Sequence, residues 1–336
     1  MGKKRYNKQG KLFEERQLSI LFDDDTEAVD ESPFAEPKRD ANSSAPVSAE
    51  IDAPASEKRE YVNFVSFGSG SSGNCAYLGT EHSGILIDAG VDMDKVFSDL
   101  QKNGVKPEMV KGIIITHDHA DHIRYAYRIA RKYKHIRIYC TPRMLNGMLR
   151  HHNLSRRIKD YQENFFKEIP FHIAGMTVTA FETSHDGSDN AGFMIEVAGY
   201  KFVVATDMGR ITDRAAYYIP QADFLMIESN YDLDMLEHGK YPEYLKSRVK
   251  GEKGHLDNVV AAKFVSENCL DNAKYVFLCH LSNENNTPEK ALAAMRAAIE
   301  GKNLTVGDGS FALTERDKDV QVYALPRYDT SSWFTL

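Results

Sequence analysis

The sequence predicts an α+β fold, a four-layer αβ/βα sandwich in which two mixed β-sheets pack face to face with helices outside. Three observations lead there. Strands and helices alternate from Tyr61 onward. Their order is a strand-rich first half, helices between, and a strand-rich second half. At 336 residues the chain is also long enough to bury a sizeable core.

The predicted strands are 61–67, 75–79, 84–88, 111–116, 136–140, 170–173, 176–183, 192–198, 200–206, 223–228, 274–279 and 320–325. They are short, β-branched and aromatic, and bounded by Gly, Asp or Asn. Val197-Ala198-Gly199-Tyr200 reads as a tight hairpin turn between two of them. The predicted helices are 93–103, 122–134, 142–151, 211–219, 257–270 and 288–300. The last is the best marked, with Thr287 as N-cap, Pro288 at its first position and Gly301 just past its end. In 122–134 an apolar stripe of Ile123, Ala126, Tyr127, Ala130 and Tyr133 leaves Arg124, Arg128, Arg131 and Lys132 on other faces.

Residues 23–59 are rich in Asp, Glu, Ser, Ala and Pro and too poor in apolar side chains to offset their ordering entropy. The expected organisation is therefore a mostly disordered acidic N-terminal extension at 1–58, a folded domain at 59–330 and a C-terminal tail at 331–336. No apolar run approaches the ~20 residues of a membrane span. Leu18-Ser19-Ile20-Leu21-Phe22 is shorter than a signal-peptide core of ~7–15 residues. Cys75, Cys140, Cys269 and Cys279 are far apart with no Cys-x-x-Cys, which argues against a disulfide framework or thiolate zinc. A soluble cytoplasmic protein is expected.

Net charge is −7, which alone disfavours a nucleic-acid partner. Its distribution points the other way. Residues 1–60 hold 10 Lys/Arg against 14 Asp/Glu, whereas 124–167 hold 12 Lys/Arg against only Asp160 and Glu163. A local basic field outweighs the whole-chain sum for a polyanionic partner.

The densest chemistry lies in Thr116-His117-Asp118-His119-Ala120-Asp121-His122, directly after the apolar run Ile113-Ile114-Ile115. Three imidazoles and a carboxylate at a strand end suit Zn²⁺, Mn²⁺ or Fe²⁺. On an extended chain His117 and His119 project to one side and can grip one ion. Asp121 and His122, at the helix start, suit a second. Further ligand-competent residues follow other predicted strands: His185 after 176–183, Asp207 after 200–206 and His280 after 274–279. Taken singly, each is an ordinary core or surface residue, or a helix cap; taken together, they read as a metal site.

His-x-His-x-Asp-His after a strand, then a lone His, an Asp in Thr-Asp-x-Gly and a final His resemble the metallo-β-lactamase superfamily over 61–325. The resemblance implies that fold and a binuclear centre: His117, His119 and His185 on one ion, Asp121, His122 and His280 on the other, and Asp207 bridging them. Ser66-Phe67-Gly68-Ser69-Gly70-Ser71-Ser72-Gly73-Asn74, Gly254-His255-Leu256-Asp257-Asn258 and Cys279-His280-Leu281-Ser282-Asn283-Glu284-Asn285-Asn286 narrow it to the YycJ/VicX-like (WalJ) branch. That branch implies 5′-to-3′ exonuclease action on double-stranded DNA with Zn²⁺ or Mn²⁺. The interval of 73 from Asp207 to His280 is too short for a β-CASP insertion, and the acidic extension is not part of the bacterial pattern.

The resemblance assigns catalytic roles to Asp121, Asp207 and His255, with His255 a general acid or phosphate contact. Ser69, Ser71, Ser72, Asn74, Arg124 and Asn283 are the expected substrate contacts. A Gly/Ser loop can offer backbone N–H groups to phosphate, though it is equally an ordinary turn. Arg124, Arg128, Arg131 and Lys132 are candidate backbone-phosphate contacts. Asp118 is read either as a partner fixing a ligand imidazole or as a loop carboxylate facing solvent. The competing expectation is a small-molecule hydrolase, such as a glyoxalase II-like thioesterase or a phosphodiesterase. Oligomeric state is not readable.

Overall fold

Apolar runs bounded by Gly, Asp or Pro become the strands, and most are buried along their length, as strands covered on both faces must be. The computed structural model describes residues 60–152, 154–310 and 313–336; the predicted extension at 1–58 lies outside them. The first sheet takes β1 (Asn63–Gly68), β2 (Cys75–Gly79), β3 (Gly84–Ile87), β4 (Val110–Ile114), β5 (Arg137–Cys140) and β6 (Gln162–Asn164). The second takes β7 (Phe171–Ile173), β8 (Met176–Glu182), β9 (Ala191–Val197), β10 (Tyr200–Ala205), β11 (Phe224–Glu228), β12 (Tyr275–Cys279), β13 (Val306–Gly307) and β14 (Val320–Ala324). A last strand, β15 (Phe334–Thr335), returns to the first sheet.

Strand orders are β15-β1-β2-β3-β4-β5-β6 and β13-β14-β12-β11-β10-β9-β8-β7. Each sheet joins an antiparallel part to a parallel part, so both are mixed as expected. Phe64 of β1 meets Phe202 and Phe277 of the second sheet at ring distances of 5.0 and 4.6 Å, which fixes the face-to-face stacking. The hairpin at Ala198-Gly199 has both residues at positive φ (50° and 80°), the geometry that matches strand twist.

The helices are α1 (Met93–Lys102), α2 (Ala120–Ile123), α3 (Ala126–Lys132), α4 (Pro142–His151), α5 (Asp213–Tyr218), α6 (Leu233–His238), α7 (Glu243–Lys250), α8 (Asn258–Asn268), α9 (Pro288–Glu300) and α10 (Leu313–Arg316). The caps predicted for α9 form, with the Thr287 hydroxyl accepting the Lys290 amide. Expected helix 122–134 is instead two pieces. Ala89 donates its amide to His122 O (2.7 Å) and accepts the Tyr125 amide (2.8 Å), diverting both from a continuous helical ladder. The break holds the metal-motif loop against β3.

The expected tail at 331–336 is also different, because Phe334 pairs with Phe64 and closes the sheet edge. Its ring is fully buried, 4.9 Å from Phe277. Phe334→Ala should therefore cost about 3–5 kcal/mol by cavity formation. Urea unfolding at constant m-value is the measurement, and a loss below ~1 kcal/mol would contradict a structural role for this strand.

Candidate metal centre

Each polar residue of the centre sits at, or just past, the end of a buried strand. β4 leads into His117, His119, Asp121 and His122; β8 leads to His185, β10 to Asp207 and β12 to His280. The two sheets thus contribute to one cluster, and a bridge between His117 and Asn190 ties their loops together. Asp207 and His280 occupy the left-handed region (φ 53° and 54°), as does Asp88 (φ 60°). Non-glycine residues held there carry about 1–3 kcal/mol of strain, and such residues gather at functional sites.

The geometry brings the predicted ligands together. One potential donor atom each from His117, His119 and His185 lie within 4.8 Å of one another, and so do those from Asp121, His122 and His280. The two trios share no member. Asp207 stands between them, with Oδ1 3.7 Å from His185 Nε2 and Oδ2 3.5 Å from His122 Nε2. Oδ1 also lies 3.2 Å from His280 Nδ1, so the carboxylate reaches members of both trios and is placed to serve both.

In His122, His185 and His117 an outer partner engages Nδ1, which leaves Nε2 as the nitrogen on the side of the centre. His122 Nδ1 lies 2.7 Å from Asp88 Oδ2, His185 Nδ1 2.8 Å from Gly254 O, and His117 Nδ1 3.1 Å from Thr116 Oγ1. Such partners orient a metal-binding imidazole and fix its tautomer. His117 Nε2 and His280 Nε2 are then buried with no hydrogen-bond partner. A buried nitrogen without a partner costs free energy unless something accepts its lone pair. Two such atoms in a cluster of imidazoles and carboxylates fit divalent cations.

Electrostatics agree. Burial opposes charge on Asp207, but His280, His122, His117 and His185 outweigh it and hold its carboxyl well below the usual range. Burial likewise opposes charge on His122, yet Asp88, Asp207 and Asp121 hold it up at about 9. A cation at Nε2 must displace that proton. Metal uptake at neutral pH is therefore expected to release protons, and affinity should rise with pH until about 9. Calorimetric titration in buffers of different ionisation enthalpy measures the release; a buffer-independent heat would contradict it.

Two carboxylates were not foreseen. Glu228, wholly buried, ends β11 and receives the amides of Met208 (2.6 Å) and Leu256 (3.2 Å). Its Oε1 lies 2.7 Å from His255 Nδ1 and 3.1 Å from His280 Nδ1. Asp88, after β3, accepts the Thr116 amide and hydroxyl besides facing His122. Both follow an apolar run, Ile-Leu-Ile before Asp88 and Leu-Met-Ile before Glu228, the same signal that marked Asp207 and His280. His255 joins the centre as expected, with its ring 5.0 Å from His185 and 5.1 Å from His280.

The expected substrate contacts divide. Ser69 and Asn74 are buried braces: the Ser69 hydroxyl accepts the His280 amide at 2.9 Å, and Asn74 Nδ2 lies 2.9 Å from His122 Nε2 and 3.2 Å from Asp121 Oδ2. Ser71, Ser72, Arg124 and Asn283 are exposed around them. Asp118 fills neither predicted role. It is buried and takes the Ser188 amide and hydroxyl, at 2.7 and 2.6 Å, which locks the loop after His185 onto the metal motif. Arg128 and Lys132 turn to Asp94, at 3.4 and 3.5 Å, and Arg131 lies over the Tyr127 ring.

Comparison with known proteins gives a consistent picture. The family described as the β-lactamase superfamily domain matches residues 84–280. The chain is 31% identical to exodeoxyribonuclease YycJ of Bacillus anthracis over 257 residues, 76% of this chain and 96% of that one. It is 33% identical to exodeoxyribonuclease WalJ of Streptococcus pneumoniae over 240 residues, 71% of this chain and 88% of that one. Among solved structures, the metallo-β-lactamase fold protein YhfI of Bacillus subtilis superposes with a TM-score of 0.59 at 15% identity, covering 82% of this chain and all of that one. Among the described residues no helix is long and apolar enough to cross a membrane.

Proposed function

The chain belongs to the β-lactamase superfamily, and on that footing we propose that it is a two-metal nuclease that removes nucleotides from the 5′ ends of double-stranded DNA. The observation that carries the reading is the pair of ligand trios with Asp207 between them. The names and near-complete coverage of the relatives YycJ and WalJ support the substrate. His117, His119 and His185 would hold one ion and Asp121, His122 and His280 the other, with Asp207 serving both. The imidazole and carboxylate donor set suits Zn²⁺ or Mn²⁺. Divalent ions in this position supply Lewis-acid polarisation of a phosphoryl oxygen and a nucleophile at neutral pH.

The chain's own residues do the rest. Asp121 is kept ionised, with its carboxyl lowered to about 2; burial opposes this, but His122 and His280 prevail. It can orient an attacking water by accepting a hydrogen bond from it. Glu228 occupies His255 Nδ1 and leaves Nε2 as the nitrogen that can donate to the leaving oxygen. Arg124, on the exposed side of the Gly/Ser loop, donates to Ser72 O and is placed to meet a backbone phosphate beside Ser71 and Asn283. A DNA substrate puts the protein in the cytoplasm, and four buried free thiols fit a reducing compartment.

End-labelled linear duplex DNA tests the reading with the purified protein and added Mn²⁺ or Zn²⁺. Release of label from the 5′ end, abolished by EDTA, is the expected result. Turnover of S-lactoylglutathione with no cleavage of any nucleic acid would overturn it in favour of a thioesterase.

A further inference from the structure

The strongest unassigned feature is the solvent face of α4. Arg143, Asn146 and Arg150 stand on the outer side of this helix while Met144, Leu145 and Met148 are buried and anchor it. Gly147, between them, brings that helix against the metal loop: a Cβ there would collide with Asp118 Oδ2 and Ser188 Oγ. Asp118 lies between the ligands His117 and His119 in the chain, so this face rises beside the centre. Arg143, Asn146, Gly147, Arg150, His151 and Ser188 line a cleft of about 190 Å³ with no carboxylate in its walls. Arg143 also lines the adjoining cleft of about 530 Å³, whose other wall includes His185 and Lys253. The larger cleft has a mixed lining; Asp189 there is taken up by Lys167, and Glu182 and Asp213 also line it. The cationic residues of the smaller cleft thus belong to α4, and the larger cleft is lined in part by the predicted ligand His185.

α3 differs from α4 in how its cations are paired. Arg128 and Lys132 are drawn to Asp94. Among the described residues no carboxylate pairs with Arg143 or Arg150, nor with Lys253 in the larger cleft. Unopposed guanidinium groups seven residues apart on one helix are separated by about 10 Å along its axis. That spans about three base steps at 3.4 Å each.

We propose that the Arg143–Arg150 face of α4 is the track on which the DNA strand's backbone phosphates approach the metal centre through the cleft beside His185. This rests on the nuclease reading and goes beyond it by placing the strand and naming its contacts. Guanidinium groups would neutralise phosphates without reading base sequence.

The test compares R143Q/R150Q with R128Q/K132Q, both in the full chain loaded with Mn²⁺, on linear duplex DNA at several salt concentrations. Unchanged melting temperatures establish that both fold. For R143Q/R150Q, kcat/KM should fall on the order of 10- to 50-fold, the loss falling on KM more than on kcat. The slope of log kcat/KM against log salt should become shallower by about 1.8, two phosphates' worth. R143K/R150K should recover most of that slope, and R128Q/K132Q should stay within about threefold of wild type. Wild-type cleavage with R143Q/R150Q unaffected, or with R128Q/K132Q equally impaired, would overturn the track alone. A wild-type protein that cleaves no nucleic acid would remove the nuclease reading and the track with it.

Discussion

Asp207→Ala is expected to lower hydrolysis by three orders of magnitude or more and to reduce the metal content of the purified protein. The reason is positional. The Asp207 carboxylate reaches members of both trios. Its charge also offsets the positive charge that His122 and His280 carry when no cation is bound, since both imidazoles are held above their ordinary range. Alanine therefore removes a shared donor and leaves like-charged imidazoles facing one another. A loss on the order of 10³-fold corresponds to about 4 kcal/mol of transition-state stabilisation, within what metal-assisted charge neutralisation supplies. Elemental analysis alongside initial rates measures both effects. Full activity with a full metal complement in this variant would mean that the trios act without a shared carboxylate, and the two-metal reading would fail.

Glu228→Gln is the second large effect. Four donors converge on this wholly buried carboxylate: the Met208 and Leu256 amides, His255 and His280. Burial opposes its charge, but His255, helped by His280, outweighs that penalty and holds its carboxyl below the usual range. Glutamine keeps the shape but turns one acceptor into a donor that meets another N–H. An unsatisfied buried donor costs about 1–3 kcal/mol, and loss of the charge partner adds to it. Turnover should fall about 10²- to 10³-fold, because His255 loses the contact that fixes its tautomer. The informative readout is the acidic-to-basic pH profile: a positioning role predicts a displaced basic limb, whereas a purely structural role predicts lower stability with the profile unmoved.

How far the sequence was legible follows the physics of each element. All twelve predicted strands exist, because each is an apolar run cut off by Gly, Asp or Asn. The three that escaped notice are edge pieces: polar Gln162–Asn164, two-residue Val306–Gly307 and two-residue Phe334–Thr335. Edge strands are shaped by a neighbour on one side and need no alternating pattern of their own. Helices α6 and α7 were not predicted; they lie in a stretch dense with Asp, Glu, Lys and Tyr. The interruption between α2 and α3 has no proline or glycine to announce it. It comes from Ala89 across the fold, which local sequence does not report. The ligand residues were legible because histidine at strand ends is conspicuous. Asp88 and Glu228 were not, since a single acid after an apolar run looks like any strand terminus until its partners are seen. Ser69 and Asn74 show the converse: a Gly/Ser loop suggests phosphate, yet two of its polar groups face inward to hold His280, His122 and Asp121.

That the cluster draws donors from the loops of both sheets gives it a bearing on survival as well as on chemistry. Any cation seated there fastens the halves of the sandwich to each other, and a ligand present at 100 times its dissociation constant adds about 2.7 kcal/mol to the folded state. Withdrawal of that cation would thus raise the unfolded fraction about a hundredfold and, with it, the exposure of idle chains to proteolysis.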